Sequence, residues 1–319
     1  MIDSSHRIII VTPVYEDVEA SSRLFLELSN EFGHDVFVVA VDDGSVNQPL
    51  QLDSLSNANI DGIILKLRRN VGHQRAIAIG MSYVCEQINS EQNVVVMDSD
   101  GEDLPSTIPA LLAKLQLKNI DVAVAQRKSR VETFRFKLFY IIYKFIFKLL
   151  TGRIISFGNF MAFNKTGLNR LVSMQELPIH IAGAVLSSKL RISFCPLDRG
   201  PRYAGLTKMN FVGLVLHGFK ALMIFVEDVL VRVGVVSAGI AIFAVLSSIV
   251  AIILKLLGFA TPGWFSIALG ILVLIFLQTG ALALMTLLLT GVAKGSNSKT
   301  IKHHDFVEKI IESKKKQLL

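Results

Sequence analysis

The stretch that decides the fold is VVVMDSDGEDLP, residues 94–105, in which an apolar run leads directly into four carboxylates. Three valines and a methionine predict a strand that is buried on both faces. Carboxylates crowded at the end of such a strand repel one another unless they hold a cation. Asp98 and Asp100 alternate with Ser99, so in extended backbone their side chains share one side, which favours a Mg²⁺ or Mn²⁺ site. The alternative is a polar turn that caps the next helix.

Strand and helix patterns alternate on both sides of this stretch. Short runs rich in Val and Ile predict strands at 7–11, 35–41, 60–67, 93–97 and 121–125. Helical patterns fall between them at 17–32, 73–90 and 105–117. This alternation predicts an α/β domain with a mostly parallel, Rossmann-like sheet, whose ligands bind at the carboxyl ends of the strands.

Polar motifs follow the other predicted strands as well. TPVYED (12–17) follows the first strand, VDDGS (41–45) contains the end of the second, and RRNVGHQ (68–74) follows the third. Each motif alone is weak, because DDGS is also an ordinary turn. Because the three motifs follow successive strands in order, together they predict a nucleotide site beside the metal site.

Charge is divided unevenly along the chain, whose formal net charge is +7. Residues 1–133 contain 11 Lys/Arg and 19 Asp/Glu, whereas residues 134–319 contain 22 and 7. The basic half alternates with long apolar runs, so phospholipid is the expected anionic partner rather than nucleic acid. Cys85 and Cys195 lack the spacing of a disulfide or metal pair, which indicates a reducing cytosol.

The second half of the chain predicts a membrane attachment. Residues 134–150 and 211–232 are apolar helices with charges on one side, typical of helices that lie in the membrane interface. A buried core helix is the alternative for 134–150. Two uncharged stretches, 233–254 and 263–292, are long enough to span a bilayer, and the flanking Lys/Arg place both termini in the cytoplasm. The predicted division is 1–210 (catalytic domain), 211–232 (juxtamembrane helix), 233–293 (two spans) and 294–319 (basic tail).

The motifs together resemble the family 2 glycosyltransferases of GT-A fold. TPVYED, VDDGS, RRNVGHQRAIAIG, VMDSDGEDLPSTIP and RGPRYAGLTKMNF (199–211) are most similar to the polyprenyl-phosphate sugar synthases, the group of dolichol-phosphate mannose synthase and bacterial undecaprenyl-phosphate transferases. The likeness covers residues 7–232, and the two spans extend it. It implies an inverting enzyme of the cell membrane that moves a sugar from a UDP- or GDP-linked donor to polyprenyl phosphate at the cytoplasmic face, and it permits a homo-oligomer.

The same resemblance implies roles for particular residues. The nucleotide would contact Pro13, Tyr15, Glu16, Asp42, Asp43, Arg69, Asn70 and Gly72. Asp98 and Asp100 would be the catalytic metal pair, with Arg127 as a third catalytic residue. The acceptor phosphate would contact Arg127, Arg130, Arg202 and Lys208.

The chain departs from the group at SFGNFM, residues 156–161, where a D-x-G-D-F-R-like stretch is common. Ser156, Asn159 and Met161 replace two acids and an arginine, so no general base is assigned. Two other functions stay open. A processive polysaccharide synthase would usually carry Q-x-x-R-W, which is absent because Trp264 is the only tryptophan. A non-catalytic, nucleotide-binding membrane scaffold is the other. His303 and His304 are adjacent, and we expect them to be surface residues.

Overall fold

The computed structural model describes residues 2–127, 134–203, 211–259, 261, 263–295 and 300–313. The chain divides into two compact units. The first contains residues 1–140, 155–224 and 299–319, and the second contains residues 141–154 and 225–298.

An eight-stranded sheet forms the centre of the first unit. Its strands are β1 (Ile8–Val14), β2 (Val36–Asp42), β3 (Asp61–Leu67), β4 (Asn93–Val96), β5 (Val122–Arg127), β6 (Phe157–Phe163), β7 (Ile192–Leu197) and β8 (Val307–Ser313). The order is β7-β5-β6-β4-β1-β2-β3-β8. Strands β4, β1, β2 and β3 run parallel, whereas β6 and β8 run antiparallel to their neighbours. The predicted α/β fold with a mostly parallel sheet is therefore confirmed.

Helices surround this sheet and form the second unit. They are α1 (Val18–Phe32), α2 (Leu52–Asn57), α3 (His73–Gln87), α4 (Ile108–Leu115), α5 (Phe134–Thr151), α6 (Lys165–Val172), α7 (Ile181–Ser187), α8 (Phe211–Ile224), α9 (Val226–Leu256) and α10 (Trp264–Gly295). Short 3₁₀ helices form at Pro105–Thr107 and His303–Asp305.

The core lies on both faces of the sheet, which explains why the strands are continuous apolar runs. Ile9 and Val11 of β1 belong to the cluster that includes α3, while Ile8 and Ile10 belong to the cluster that includes Leu24 of α1. Successive side chains of a strand alternate between faces, so a strand covered on both sides needs an apolar residue at every position.

The last described segment of the chain belongs to the sheet. Strand β8 pairs antiparallel with β3, with Ile64 opposite Ile311. This differs from the division made from sequence, in which 294–319 is a separate tail. VEKIIES mixes charged and apolar residues because an edge strand leaves one face exposed, and it therefore lacks the continuous apolar run of the central strands. The expectation that His303 is a surface residue is wrong, because it is only 3% exposed.

The second unit contains two helices that are long and apolar enough to cross a membrane, Val226–Leu256 and Trp264–Thr286. Most large apolar side chains on α9 are exposed, whereas the small residues Ala241, Ala244 and Ala251 are buried. Small residues let two helix backbones approach closely, as in membrane helix pairs. Phe225 lies outside both α8 and α9, so the amphipathic helix predicted at 211–232 ends eight residues early and the rest of it continues into α9.

Candidate active site

The carboxyl ends of β4, β1, β2 and β3 bring the predicted motifs to one edge of the sheet. The parallel register pairs Val14 with Asp42 and Val11 with Val96. The loops that begin near residues 15, 43, 68 and 97 therefore follow neighbouring strands. Parallel α/β sheets bind their ligands at this edge.

Asp42 and Glu16 organise the loop that follows β2. Both oxygens of the buried Asp42 carboxylate accept backbone N–H groups, from Ser45 and Leu50, each at 3.0 Å. The Glu16 carboxylate accepts three more backbone N–H groups, from Val46, Asn47 and Gln48. These two acids, both predicted to contact the nucleotide, therefore fix the conformation of the loop after β2.

Asp43 ties the end of β2 to the loop before α3. Its carboxylate accepts the N–H groups of Val71 at 2.7 Å and Gly72 at 3.0 Å. Burial raises the pKa of Asp43, and these two donors oppose that shift. Gly44 has a φ of +70°, and a Cβ there would lie 2.5 Å from the carbonyl carbon of Arg69. Only glycine lets these two loops approach so closely.

The loop after β4 concentrates buried negative charge. Asp103 is 6% exposed, and its Oδ2 accepts the backbone N–H of Asp98 at 3.0 Å. Burial, followed by the charge of Asp98, raises the pKa of Asp103 to about 7. Burial also raises the pKa of Asp100, again helped by Asp98. The fold therefore holds three carboxyl groups where their mutual repulsion is costly.

Asp103→Asn is expected to raise the melting temperature of the metal-free protein, and by more at about pH 8 than at about pH 6. The pKa of Asp103 rises from 3.8 to about 7 on folding, so its ionisation destabilises the fold increasingly as pH rises between those values. One pKa unit corresponds to roughly 1.4 kcal/mol. Asparagine can still accept the Asp98 N–H. Thermal unfolding in detergent with a chelator tests this, and an equal shift at both pH values contradicts it.

A chain of side-chain amides leads to His73 at the start of α3. The backbone N–H of Ile181 donates to Gln74 Oε1 at 2.7 Å, so Gln74 Nε2 donates to Asn159 Oδ1 at 3.0 Å. Asn159 Nδ2 then lies 2.8 Å from His73 Nε2. With the amides fixed in this order, Asn159 donates and His73 Nε2 accepts, which requires an unprotonated Nε2.

His73 Nε2 also lies 3.2 Å from Asp98 Oδ1. With the amides in that order, the buried Asp98 Oδ1 faces the ring nitrogen with no proton between them. Burial lowers the pKa of His73, but the carboxylates of Asp98, Asp100 and Asp103 outweigh it and raise the pKa. Protonation of the ring would conflict with the Asn159 donor. A divalent cation would offset the carboxylate charge, and it would take the Nε2 lone pair in place of the Asn159 N–H. Asp98 and His73 are placed to hold such a cation, whereas the Asp100 carboxylate is paired with Arg202 and would have to turn to join them.

A short segment after β7 lies against the acidic loop. The backbone N–H of Tyr203 donates to the Asp100 carbonyl at 2.9 Å. Arg202 Nη2 lies 2.7 Å from Asp100 Oδ2, and its Nε lies 3.4 Å from Glu102 Oε1. The Tyr203 ring covers Gly101, where any Cβ would lie within 2.7 Å of the ring. The segment thus brings positive charge onto the predicted metal pair.

Comparison with known proteins identifies the family of this chain. The profile described as Glycosyl transferase family 2 matches residues 9–174, more than half of the chain. The chain belongs to this family. The resemblance stated from the sequence motifs is therefore confirmed, and the protein is a glycosyltransferase.

Two relatives and one solved structure are similar to this chain. An uncharacterized glycosyltransferase of Synechocystis sp. is 28% identical over 83% of this chain and 84% of its own. The undecaprenyl-phosphate 4-deoxy-4-formamido-L-arabinose transferase of Shewanella sediminis is 24% identical over 78% of this chain and 75% of its own. Glucosyl-3-phosphoglycerate synthase from Mycobacterium tuberculosis, solved with Mg²⁺ and uridine diphosphate, shares the fold with a TM-score of 0.50 at 12% identity, covering 71% and 80% of the two chains.

The structure brings most of the residues predicted for a family 2 site to one edge of the sheet. Pro13 lies at the end of β1, where its carbonyl accepts from Ser99 Oγ at 3.0 Å. Tyr15, Arg69 and Asn70 are exposed on the neighbouring loops. Arg127 ends β5, but its side chain, together with Arg130 and Lys208, lies outside the described residues.

Sequence reasoning missed the role of His73, Gln74 and Asn159 as a connected group. Asn159 stands in the stretch that departs from the related synthases, and the structure places it within 2.8 Å of His73. Met161, two residues on, is fully buried in the sheet. His217 of α8 was also missed; burial lowers its pKa and the charge of His73 lowers it further. The only sequence signal was the position of His73 and Gln74 at the start of a helix after a predicted strand.

Proposed function

We propose that this glycosyltransferase moves a sugar from a nucleotide-diphosphate sugar to a polyprenyl phosphate at the cytoplasmic face of the membrane, with inversion and with Mg²⁺ or Mn²⁺. The observation that carries the proposal is the buried Asp98 Oδ1 at 3.2 Å from His73 Nε2, at the sheet edge where a donor diphosphate would bind. The Shewanella relative, named for its action on undecaprenyl phosphate, supports the acceptor class.

The reaction needs leaving-group stabilisation more than it needs a base. An oxygen of the acceptor phosphate forms a bond to the anomeric carbon, while the bond from that carbon to the donor diphosphate breaks. When bound, the cation offsets the charge that develops on the leaving diphosphate. Asp98, Asp100 and His73 are the residues that would hold it.

The donor nucleotide would lie along the loops after β1, β2 and β3. Tyr15 is 45% exposed at the end of β1 and offers a ring for the base. Pro13, Glu16, Asp42 and Asp43 would form the base and ribose side of the site. Arg69, Asn70 and Gly72 would flank the diphosphate at the start of α3.

The acceptor phosphate would meet Arg202, with Arg127, Arg130 and Lys208 as further cations. Arg202 offers five N–H donors, and its contacts with Asp100 and Glu102 leave some of them unused. The Arg202 side chain is 28% exposed, so a phosphate can reach it. This arrangement would place the acceptor oxygen next to the cation site.

Arg202→Ala is therefore expected to raise the KM for polyprenyl phosphate by about tenfold or more, and the KM for the donor by much less. A charge-assisted hydrogen bond contributes roughly 1.5–3 kcal/mol, which sets this scale. Arg191→Ala is the matched control. Arg191 pairs with Asp121, just before β5, whereas the proposed acceptor residue Arg127 lies at the other end of that strand. Steady-state kinetics in detergent measures both constants. A change in donor KM alone would reject the acceptor role.

The lipid part of the acceptor would lie in a membrane, and three apolar helices of this chain would contact the same membrane. Helix α8 exposes an apolar stripe at helical spacing: Val212, Leu216, Phe219 and Met223. Helices α9 and α10 are long and apolar enough to span a bilayer. We infer a two-span protein with its catalytic domain and both ends in the cytoplasm.

The topology makes a labelling prediction. In a Cys85→Ser background, Thr261→Cys between the spans is expected to react with an impermeant thiol reagent added outside intact cells. Glu308→Cys, exposed on β8, is expected to react only after the cells are opened. Thr261 and Glu308 reacting from the same side would reject the two-span arrangement.

A donor screen tests the proposed function. The full chain in detergent is given undecaprenyl phosphate and each nucleotide sugar in turn, and the released nucleotide and the chloroform-soluble product are measured. A lipid monophosphosugar supports the proposal. Polymer would indicate a processive polysaccharide synthase, and no turnover with any donor would indicate a non-catalytic nucleotide-binding scaffold.

A further inference from the structure

A second group of metal-ligating side chains lies away from the acidic loop, at the opposite end of α3 from His73. Among the residues that the structure describes, Glu86, His303 and His304 form the one group of three His, Cys, Asp or Glu residues whose ligand atoms all lie within 4.8 Å of one another. Glu86 is near the end of α3, and the histidines occupy the 3₁₀ turn before β8.

The adjacent histidines converge because they use different ring nitrogens. His303 Nδ1 lies 3.4 Å from Glu86 Oε1, and His304 Nε2 lies 3.7 Å from Glu86 Oε2. The ring centroids are 3.6 Å apart. Zinc bonds of about 2.0–2.1 Å in tetrahedral geometry imply about 3.3 Å between ligand atoms, so a small movement of His304 completes the set.

The buried histidine gives an independent sign of a ligand. His303 is 3% exposed, and its Nδ1 has no hydrogen-bond partner although it points at Glu86. An unpaired polar atom in the interior costs roughly 1–3 kcal/mol unless something binds it.

We propose that Glu86, His303 and His304 bind a zinc-class divalent cation that fastens residues 300–313 to α3. Two imidazole nitrogens and one carboxylate favour Zn²⁺ over Mg²⁺, which prefers oxygen ligands alone. Three protein ligands leave a fourth position for water. Glu86 also lines an open groove of about 310 Å³, through which an ion reaches the site. Cys85 lines the same groove, but its thiol donates to Asn169 Oδ1 at 3.0 Å, so it is not counted as a ligand.

The site does not depend on the proposed function, and its test does not use activity. The untagged full chain in detergent is stripped with a chelator and titrated with Zn²⁺ against a chromophoric competitor, with excess Mg²⁺ present. Glu86→Gln and His304→Asn change exposed side chains, and His34→Asn is the histidine control. Loss of an outer partner of a metal ligand already costs 10–100-fold in affinity, so loss of a ligand is expected to cost at least about 100-fold.

A structural readout separates this site from adventitious binding. Zn²⁺ is expected to slow amide hydrogen exchange in 300–313 of the wild type and of His34→Asn, but not of His304→Asn. Unchanged zinc affinity in both Glu86→Gln and His304→Asn would overturn the site. Tight binding without slower exchange in 300–313 would overturn the fastening role.

Discussion

Asp98→Asn is expected to lower the rate of sugar transfer at least about 100-fold while changing the melting temperature little. Loss of a main electrostatic stabiliser costs about 10²–10³ in rate. The effects on the fold oppose one another. The substitution removes a charge that raises the pKa values of Asp100 and Asp103, but it also removes a carboxylate whose pKa, despite burial, is lowered by the charge of His73.

A large loss of activity without a matching loss of stability distinguishes this prediction from simple misfolding. Asp35→Asn is the matched control, since Asp35 is exposed before β2, at the opposite end of the strands. A chelator added to the wild type is expected to reproduce the loss of rate. Near-normal turnover of Asp98→Asn in the presence of EDTA would rule out the cation site at Asp98.

The strands of the central sheet were predictable because each is covered on both faces. Ile8–Val14 and Val36–Asp42 are buried at every position, so their sequences are continuous apolar runs. Strand β6 was not predicted, because Gly158 and Asn159 interrupt its apolar residues. Strand β8 was not predicted either, because it mixes charged and apolar residues without a regular pattern, and its pairing depends on β3, some 240 residues earlier.

The site was predictable to the extent that its residues follow strands. Asp98 and Asp100 were predicted as metal ligands because four carboxylates at the end of a buried strand repel one another unless a cation binds them. The amide chain from Gln74 to Asn159 joins residues 85 positions apart, and single amides at such a distance give no periodic signal. Arg202 shows the same limit, since its contact with Asp100 depends on how the segment after β7 folds back.

Asn159→Asp tests whether the enzyme lacks a base or needs none. Transferases that act on a hydroxyl acceptor need a carboxylate near the attacking oxygen. A phosphate monoester has a second pKa of about 6, so its oxygen is already an anionic nucleophile near neutral pH. The enzyme then has only to position that oxygen in line with the anomeric carbon. Ser156 and Asn159 can stand where related synthases carry acids.

The geometry around Asn159 gives the expected sign. Its Nδ2 lies 2.8 Å from His73 Nε2, and an oxygen in that place would set an acceptor against the ring nitrogen and add a negative charge beside Asp98. We expect kcat to fall at least about tenfold, the equivalent of one pKa unit of lost interaction. Asn89→Asp, in the loop after α3, is the matched control.

The measurement is a pH–rate profile of wild type and Asn159→Asp with saturating donor. The wild-type rate is expected to fall as pH drops below about 6, because the acceptor phosphate then takes up its second proton. The mutant is expected to keep that acid limb at a lower plateau, since the nucleophile is unchanged. A tenfold or greater increase in kcat for Asn159→Asp would mean that the reaction needs a base, and that Asn159 makes this chain an impaired member of its group.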